Sequence, residues 1–150
     1  MAPRNVIQRA FDQFGKAAGM TKRSGSWHLA SDEVISVTNL QKSQYGPSYY
    51  VNQGWWLVEA EEGEPRSETC HVVTRIENLL PTREGEINRL LDLDVPIPDP
   101  QREERLRWLL AEELLPVLRE AATVAGLRAL RLEGRLTNAG LRRLALERLV

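Results

Sequence analysis

Hydrophobic residues recur at helical spacing in two parts of the chain. In residues 4–19 the apolar positions follow i, i+3, i+4 spacing and form one stripe, made by Val6, Ile7, Ala10, Phe11 and Phe14. A longer stripe runs through residues 100–124, where Asp99 is suited to cap the helix and Pro100 to occupy its first turn. Pro116 lies inside this second stripe, so we expect a kink or a division into two helices.

Four segments are rich in β-branched and aromatic residues, which is typical of strands; they are residues 27–30, 34–41, 48–58 and 70–76. The links between them are short, whereas parallel strands need crossovers of a dozen or more residues. The pattern therefore predicts an α+β fold. A four-stranded antiparallel meander is packed on one face by the N-terminal helix and the long C-terminal helix, and an extra helix follows at the C-terminus.

Leucine and arginine dominate the end of the chain. We interpret residues 1–125 as a single α+β domain and residues 126–150 as a C-terminal helical extension packed on the same domain. In this extension Thr137 or Asn138 is suited to cap a last helix. The inward side of that helix would carry Leu141, Leu144, Ala145 and Leu149.

Charge is distributed unevenly, although the formal net charge of the 150 residues is only −1. Residues 1–50 carry six basic side chains against three acidic ones, residues 51–100 four against eleven, and residues 101–150 ten against seven. A nearly neutral chain exerts no overall attraction on nucleic acid or anionic lipid. The acidic middle either faces a basic partner or is a set of solvated loops, and the sequence leaves both interpretations open.

No segment of the sequence predicts a membrane protein or a secreted one. No apolar run approaches the roughly 20 residues that span a bilayer. The N-terminal stretch lacks the apolar core of a secretory signal. The single cysteine, Cys70, cannot form an internal disulfide, which fits a reducing compartment. We therefore expect a cytoplasmic protein with no membrane contact, and the oligomeric state is left open.

Residues able to carry catalysis or bind a metal are few. The chain has two histidines and one cysteine, and the adjacent Cys70 and His71 would point to opposite faces of a strand. The sequence lacks a phosphate-binding glycine loop and a G-x-S-x-G nucleophile elbow. We expect no cofactor, no metal and no catalytic residue. An enzyme of unrecognised type is kept as a third hypothesis, with His71 and Arg75 as its candidates.

The segment NLQKSQYGPSYYVNQGWW, residues 39–56, begins and ends like a strand but has a polar centre. We expect a hairpin that turns around residues 42–47, with Asn52 and Gly54 marking a bulge or a buried polar contact. Two interpretations of the polar side chains stay open: they fasten the hairpin, or they form a recognition edge. In the second case the candidate partner-binding residues are Gln41, Lys42, Ser43, Gln44, Tyr45 and Asn52.

A nucleic-acid-binding module is the alternative hypothesis. Lys22, Arg23 and Lys42 fall on predicted turns, and exposed aromatic residues on a sheet can stack on bases. The aromatic candidates form two pairs on opposite faces of one predicted strand, so at least one pair is expected in the core. The pairs are Tyr49 with Trp55, and Tyr50 with Trp56.

Several short motifs together resemble one protein family. They are the N-L-Q-K-S-x-Y-G hairpin at residues 39–46, the Y-x-N-x-G strand at residues 50–54, a C-H-x-x-x-R strand with Cys70, His71 and Arg75, and the preceding Trp27. With the long helix that follows, these motifs resemble the bacterial domain-of-unknown-function family 4304 over about residues 5–120. That family supplies no reaction.

Members of this family resemble the small α+β immunity proteins encoded beside bacterial toxins. The resemblance implies a non-catalytic binding protein that neutralises a toxin by direct protein–protein contact. Either the polar hairpin or an acidic stretch would meet a basic toxin domain, because opposite charges speed association and select the partner. The acidic residues concerned are Glu59, Glu61, Glu62 and Glu64.

Overall fold

A six-stranded antiparallel sheet lies at the centre of the computed structural model, which describes residues 3–150. Strands that follow one another in the chain are also neighbours in the sheet, as in the predicted meander. The strands are β1 (Thr21–Arg23), β2 (Ser26–Ala30), β3 (Val34–Lys42), β4 (Tyr49–Leu57), β5 (Val72–Arg75) and β6 (Gly140–Leu141).

The prediction of a four-stranded sheet is wrong in number, because the sheet has one additional strand at each edge. β1 has only three residues, all of them exposed, so it lacks the apolar alternation that marks a strand. β6 has two residues, and it pairs with β5, which lies far earlier in the chain. Strand pairing between residues so far apart in the chain leaves no local pattern in the sequence.

The hairpin of β3 and β4 is the predicted one. Its register runs without interruption from the pair Val34–Leu57 to the pair Lys42–Tyr49. No bulge therefore exists at Asn52, which pairs in register with the facing strand. The side chain of Asn52 instead makes polar contacts across the hairpin, the other expectation for this position.

Seven α-helices occur within residues 3–150: α1 (Val6–Ala17), α2 (Ile76–Leu79), α3 (Glu84–Leu90), α4 (Asp99–Trp108), α5 (Leu115–Glu120), α6 (Val124–Leu132) and α7 (Arg143–Arg148). α1 corresponds to the first predicted helix. Its cap is reciprocal: the Asn5 side chain accepts a hydrogen bond from the Gln8 N–H, and the Gln8 side chain accepts one from the Asn5 N–H. None of these seven helices combines the length and hydrophobicity needed to cross a bilayer.

The long predicted helix consists of α4, a π-helical segment (Leu109–Leu114) and α5 in direct succession. Pro116 explains the π segment. It lies in the first turn of α5, has no N–H to donate, and in a regular α-helix its ring would clash with the carbonyl four residues earlier. The wider π turn ahead of it removes that clash. The helix begins one residue earlier than expected, with Pro98 in place of Asp99 as its N-cap.

One face of the sheet forms the main hydrophobic core together with buried residues from all seven helices. The buried strand residues in this core include Trp27, Val51, Trp55 and Val72. The alternation of side chains along β3 and β4 also places three polar residues on this face, and these residues form hydrogen bonds with one another. Gln53 Oε1 accepts a hydrogen bond from Thr38 Oγ1 at 2.6 Å, and Gln53 Nε2 donates one to Ser36 Oγ at 2.8 Å.

The C-terminal residues contribute side chains to the same core, namely Leu127, Leu130, Leu136, Ala145 and Leu149. The expected cap at Thr137 or Asn138 is wrong, because the last helix begins later, at Arg143. The residues expected in its first turn are used differently. Gly140 and Leu141 form β6 and pair with β5, so the chain is extended there.

Candidate functional site

The second face of the sheet is covered only in part, and the uncovered part is a polar cleft. The loop of residues 58–71 folds over this face, and its Cys70 packs in a small second hydrophobic cluster with Val37 and Trp56. Beside this cluster lie two hollows of about 580 and 340 Å³. The two hollows are adjacent, because three residues line both of them: Asn39, Ser67 and Glu68. We call the two hollows together the polar cleft.

Three side-chain amides on neighbouring strands form a hydrogen-bonded row along the cleft. Asn39 and Asn52 lie directly opposite each other in the β3–β4 register, and Gln41 shares the strand face of Asn39. Asn52 Nδ2 donates to Asn39 Oδ1 at 3.2 Å and to Gln41 Oε1 at 2.9 Å. Asn39 Nδ2 in turn donates to Ser26 Oγ on β2 at 3.0 Å. We call Asn39, Gln41 and Asn52 the amide row.

The opposite wall of the cleft is the loop, which approaches the sheet closely because Gly54 has no side chain. A Cβ at Gly54 would lie 2.7 Å from Cys70 Sγ and 3.2 Å from the Ser67 carbonyl oxygen. The loop is also held at β2, where His28 Nε2 lies 3.3 Å from the Pro65 carbonyl oxygen. These contacts fix the width of the cleft.

Charged side chains are unequally placed along the cleft. The larger hollow carries both signs, from Arg23, Glu64, Arg66 and Glu68. Arg23 Nη1 lies 4.0 Å from Glu64 Oε1, and both side chains are exposed, so this ion pair is weak. In the smaller hollow Glu68 is the one charged lining residue among those the structure describes. Its Oε2 accepts a hydrogen bond from Ser67 Oγ at 3.2 Å.

The predicted recognition edge divides between the cleft and the turn beyond it. Gln41 and Asn52 line the cleft. Ser43 is buried and fastens the turn, because its Oγ accepts a hydrogen bond from the Tyr45 N–H at 3.1 Å. Tyr45 is 88% exposed at the tip. Gln44 in the turn and Lys42 at the end of β3 are exposed as well.

His71 is fully buried, and both nitrogens of its ring contact other groups of the protein. Its Nδ1 accepts a hydrogen bond from the Leu57 N–H at 2.9 Å, so the ring proton resides on Nε2, 3.3 Å from Glu61 Oε2. Burial lowers the pKa of His71, and the hydrogen bond to Glu61 opposes that shift without cancelling it. Glu61 also accepts a hydrogen bond from Arg142 Nη2 at 3.0 Å. This carboxylate therefore holds the loop to the C-terminal segment.

The other three predicted acidic residues are exposed. Glu59 borders a separate hollow, which Arg128 and Arg148 also line. Glu64 lines the polar cleft, and Glu62 lies between the two in the loop. The structure thus brings Glu64 near the amide row and separates it from Glu59.

The remaining reactive residues are also engaged within the protein. Burial raises the pKa of the Cys70 thiol to about 12, so the nucleophilic thiolate is scarcely populated at neutral pH. Arg75, paired with His71 in the enzyme hypothesis, has its guanidinium 4.2 Å from the centre of the Tyr50 ring. Across residues 3–150, no group of three or more His, Cys, Asp or Glu side chains is placed to hold a metal ion.

The aromatic residues of the nucleic-acid hypothesis lie mostly inside the protein. Tyr49, Trp55 and Trp56 are buried. Of the basic residues, Lys22 has its Nζ 2.8 Å from the Asp12 carboxylate. The three buried rings have no free face on which a base could stack.

Several residues of the cleft were not singled out at the level of sequence, among them Ser26, His28, Asn39 and Ser67. Asn39 had a usable signal, because it lies two positions before Gln41 and therefore on the same strand face. Ser67 had none. Its place opposite the amide row depends on how the loop folds back over the sheet.

Comparison with protein-family models matches residues 11–120 to the family described as Domain of unknown function (DUF4304). This match confirms the family resemblance drawn from the motifs. The matched range contains the amide row and the whole loop and ends before α6, β6 and α7. Comparisons with curated proteins and with solved structures found no match.

Proposed function

The chain belongs to the DUF4304 family, and we propose that it is a non-catalytic binding protein whose partner docks in the polar cleft. One observation carries this proposal: the uncovered sheet face is lined by amides that hydrogen bonds already hold in place. Side chains held in this way lose little conformational freedom when a partner binds, which favours affinity. The two most reactive side chains, Cys70 and His71, are buried.

The proposed partner is a protein with a basic surface. Glu62, Glu64 and Glu68 are exposed residues of the loop that forms one wall of the cleft. Exposed charges of one sign raise the association rate and select partners of the opposite sign. The specific form of the proposal is an immunity protein that neutralises a bacterial toxin by direct contact in the cytoplasm. The resemblance of the family to such proteins supports it.

The test begins with capture of a partner from cells that produce the protein. The tagged wild-type chain is compared with the variant E62Q/E64Q/E68Q and with a charge-matched control, E84Q/E112Q/E120Q, whose sites are exposed elsewhere on the surface. We expect the first variant to associate about tenfold more slowly, with a weaker dependence on salt, and the control to match wild type. Equal association rates for both variants would show that the partner does not use this wall of the cleft.

Nuclease treatment of the lysate separates the proposal from the nucleic-acid alternative. A protein partner that binds this chain directly is captured equally well before and after the treatment. Capture that disappears with nuclease would favour nucleic acid as the ligand and overturn the protein-binding proposal.

A further inference from the structure

Two polar atoms of the amide row are left without a partner among residues 3–150. Asn52 uses both hydrogens of its Nδ2 within the row, and no group donates to its Oδ1. Gln41 accepts through Oε1, and its Nε2 donates to no group. Both residues line the smaller hollow of the cleft. The cleft thus presents one unused acceptor beside one unused donor.

A peptide bond carries the complementary pair of groups, one N–H and one C=O. We propose that the cleft binds an extended peptide segment of the partner through its main chain. Asn52 Oδ1 accepts from a backbone N–H of the segment, and Gln41 Nε2 donates to a backbone carbonyl. This inference rests on the proposed function and adds the mode of recognition. Main-chain hydrogen bonds give extended peptides their affinity, and neighbouring side-chain pockets give them specificity.

The dimensions of the cleft limit the length of the segment. Its lining residues lie on four adjacent strands, from Ser26 on β2 through Asn39 and Asn52 to Val73 on β5. Three inter-strand spacings of about 4.8 Å span roughly 14 Å, which an extended chain covers with about four residues. The segment crosses the strands, so it does not extend the sheet at an edge.

Glu68 determines which side chain the segment carries beside the amide row. It is the charged residue of the smaller hollow, and its carboxylate is exposed. Only its Oε2 is engaged, by the Ser67 hydroxyl. A lysine or arginine at this point gains an attraction, whereas an acidic or phosphorylated side chain meets repulsion. The ligand is therefore an extended segment of about four residues that contains a basic side chain.

The experiment uses the full chain labelled with ¹⁵N and three synthetic probes. The first is acetyl-Gly-Thr-Lys-Thr-Gly-amide, the second carries glutamate in place of lysine, and the third is the lysine peptide methylated on its backbone nitrogens. The side-chain amide signals of Gln41 and Asn52 are followed by NMR during each titration. We expect the lysine peptide to shift both signals and to bind at least about fivefold more tightly than either other probe. Absence of shifts at millimolar peptide, or equal binding of all three, would overturn the proposal.

Two variants test the roles of single side chains. Glu68→Gln should abolish the preference for the lysine peptide over the glutamate peptide. Gln41→Met should weaken the lysine peptide about threefold to tenfold, because the hydrogen bond to the peptide is lost and Asn52 loses one of the two acceptors that hold its amide in place. Gln41 is exposed, so this change leaves the fold intact, and the exposed Gln101→Met in α4 is the matched control. Identical affinities for Gln41→Met and Gln101→Met would contradict the assignment.

The outcomes distinguish this inference from the proposed function on which it rests. If E62Q/E64Q/E68Q weakens capture of a protein partner but Gln41→Met does not, the proposed binding function is supported and the proposed peptide recognition is overturned. Peptide binding as described, with no basic protein captured from the producing cells, would keep the peptide site and remove the toxin-type partner.

Discussion

The backbone N–H of Leu57 donates a hydrogen bond to Nδ1 of the buried His71, 2.9 Å away. The same imidazole lies against Trp56, with 4.3 Å between the ring centres, and directs Nε2 to Glu61. Nδ1 can accept this bond only while it carries no proton. The attachment of the loop to β4 therefore depends on the neutral form of His71.

Acidification should destabilise the folded protein between about pH 7.5 and pH 5.5. Burial lowers the pKa of His71 below its ordinary value of 6.5. As the pH falls through 6.5, the unfolded chain binds a proton that the native chain does not. The contribution of His71 to stability is thus fully present above the unfolded pKa and is lost as the pH falls towards the folded pKa. Urea unfolding at the two pH values measures the loss.

The control for this prediction replaces His71. His71→Asn keeps an acceptor near the position of Nδ1 but cannot titrate, so its acid-induced loss of stability should be much smaller than that of the wild type. Two carboxylates with lowered pKa values, Asp12 and Glu86, do not interfere in this interval. Burial would raise the pKa of Asp12, but hydrogen bonds from its basic neighbours lower it, and the hydrogen bond from an arginine lowers the pKa of Glu86. An undiminished loss in His71→Asn would assign the effect to another group.

The Cys70 thiol should resist alkylation in the native protein. Burial raises its pKa to about 12, whereas an unfolded cysteine titrates near 8.5. With iodoacetamide at about pH 8, mass spectrometry should find native protein unmodified under conditions that fully alkylate it in denaturing urea. Modification of the native chain at the denatured rate would contradict the burial of this side chain.

Replacement of Gly54 by alanine should lower the free energy of unfolding by about 1–3 kcal/mol, because the new methyl group overpacks the contact with the loop. The added Cβ would lie 2.7 Å from Cys70 Sγ and 3.2 Å from a backbone oxygen, so the loop must move. Gly85→Ala in α3 is the control, since nothing lies within 4 Å of its Cβ position. Urea unfolding of both variants decides the matter, and equal stability of the two would refute a close approach at Gly54.

Arg102 is buried, and its guanidinium caps the end of α3. It donates to the carbonyl oxygens of Arg89 at 3.1 Å, Leu90 at 2.6 Å and Val95 at 2.6 Å. Arg102→Met retains the aliphatic volume but removes all three hydrogen bonds, although the Arg89 and Val95 carbonyls keep backbone donors, so the free energy of unfolding should fall by about 2–4 kcal/mol. The exposed Arg107→Met should change it by less than about 0.5 kcal/mol. Similar stabilities of the two variants would show that Arg102 does not stabilise the end of α3.

Deletion of residues 126–150 should abolish cooperative unfolding. The deletion removes β6, the hydrogen bond from Arg142 to Glu61, and five buried core residues: Leu127, Leu130, Leu136, Ala145 and Leu149. Loss of several core side chains at about 2–5 kcal/mol each exceeds the stability of an ordinary domain. Thermal unfolding followed by circular dichroism measures this, with deletion of the exposed Val150 alone as the control. A wild-type transition in the shortened chain would show that the matched family region folds independently.

The elements that could be predicted are those with local signals. The stripe of α1 and the short links between β2, β3 and β4 are properties of neighbouring residues, and the structure has these elements at the expected places. Pro116 predicted a disturbance in the long helix, and the structure has it as the π segment that precedes α5. The edge strands β1 and β6 could not be predicted, because one is polar and the other pairs with a distant segment.

The sequence by itself determined which side chains are polar or acidic, and that the hairpin turns within residues 39–56. Only the tertiary structure decided which of those side chains are available. Glu61 belongs by sequence to the same acidic stretch as Glu64, yet Arg142, far along the chain, engages its carboxylate in a hydrogen bond, whereas Glu64 lies at the cleft. Residue type fixes charge and hydrogen-bonding capacity. Whether a charged or hydrogen-bonding group is used within the fold or is available to a partner depends on contacts between distant segments, which local sequence patterns do not encode.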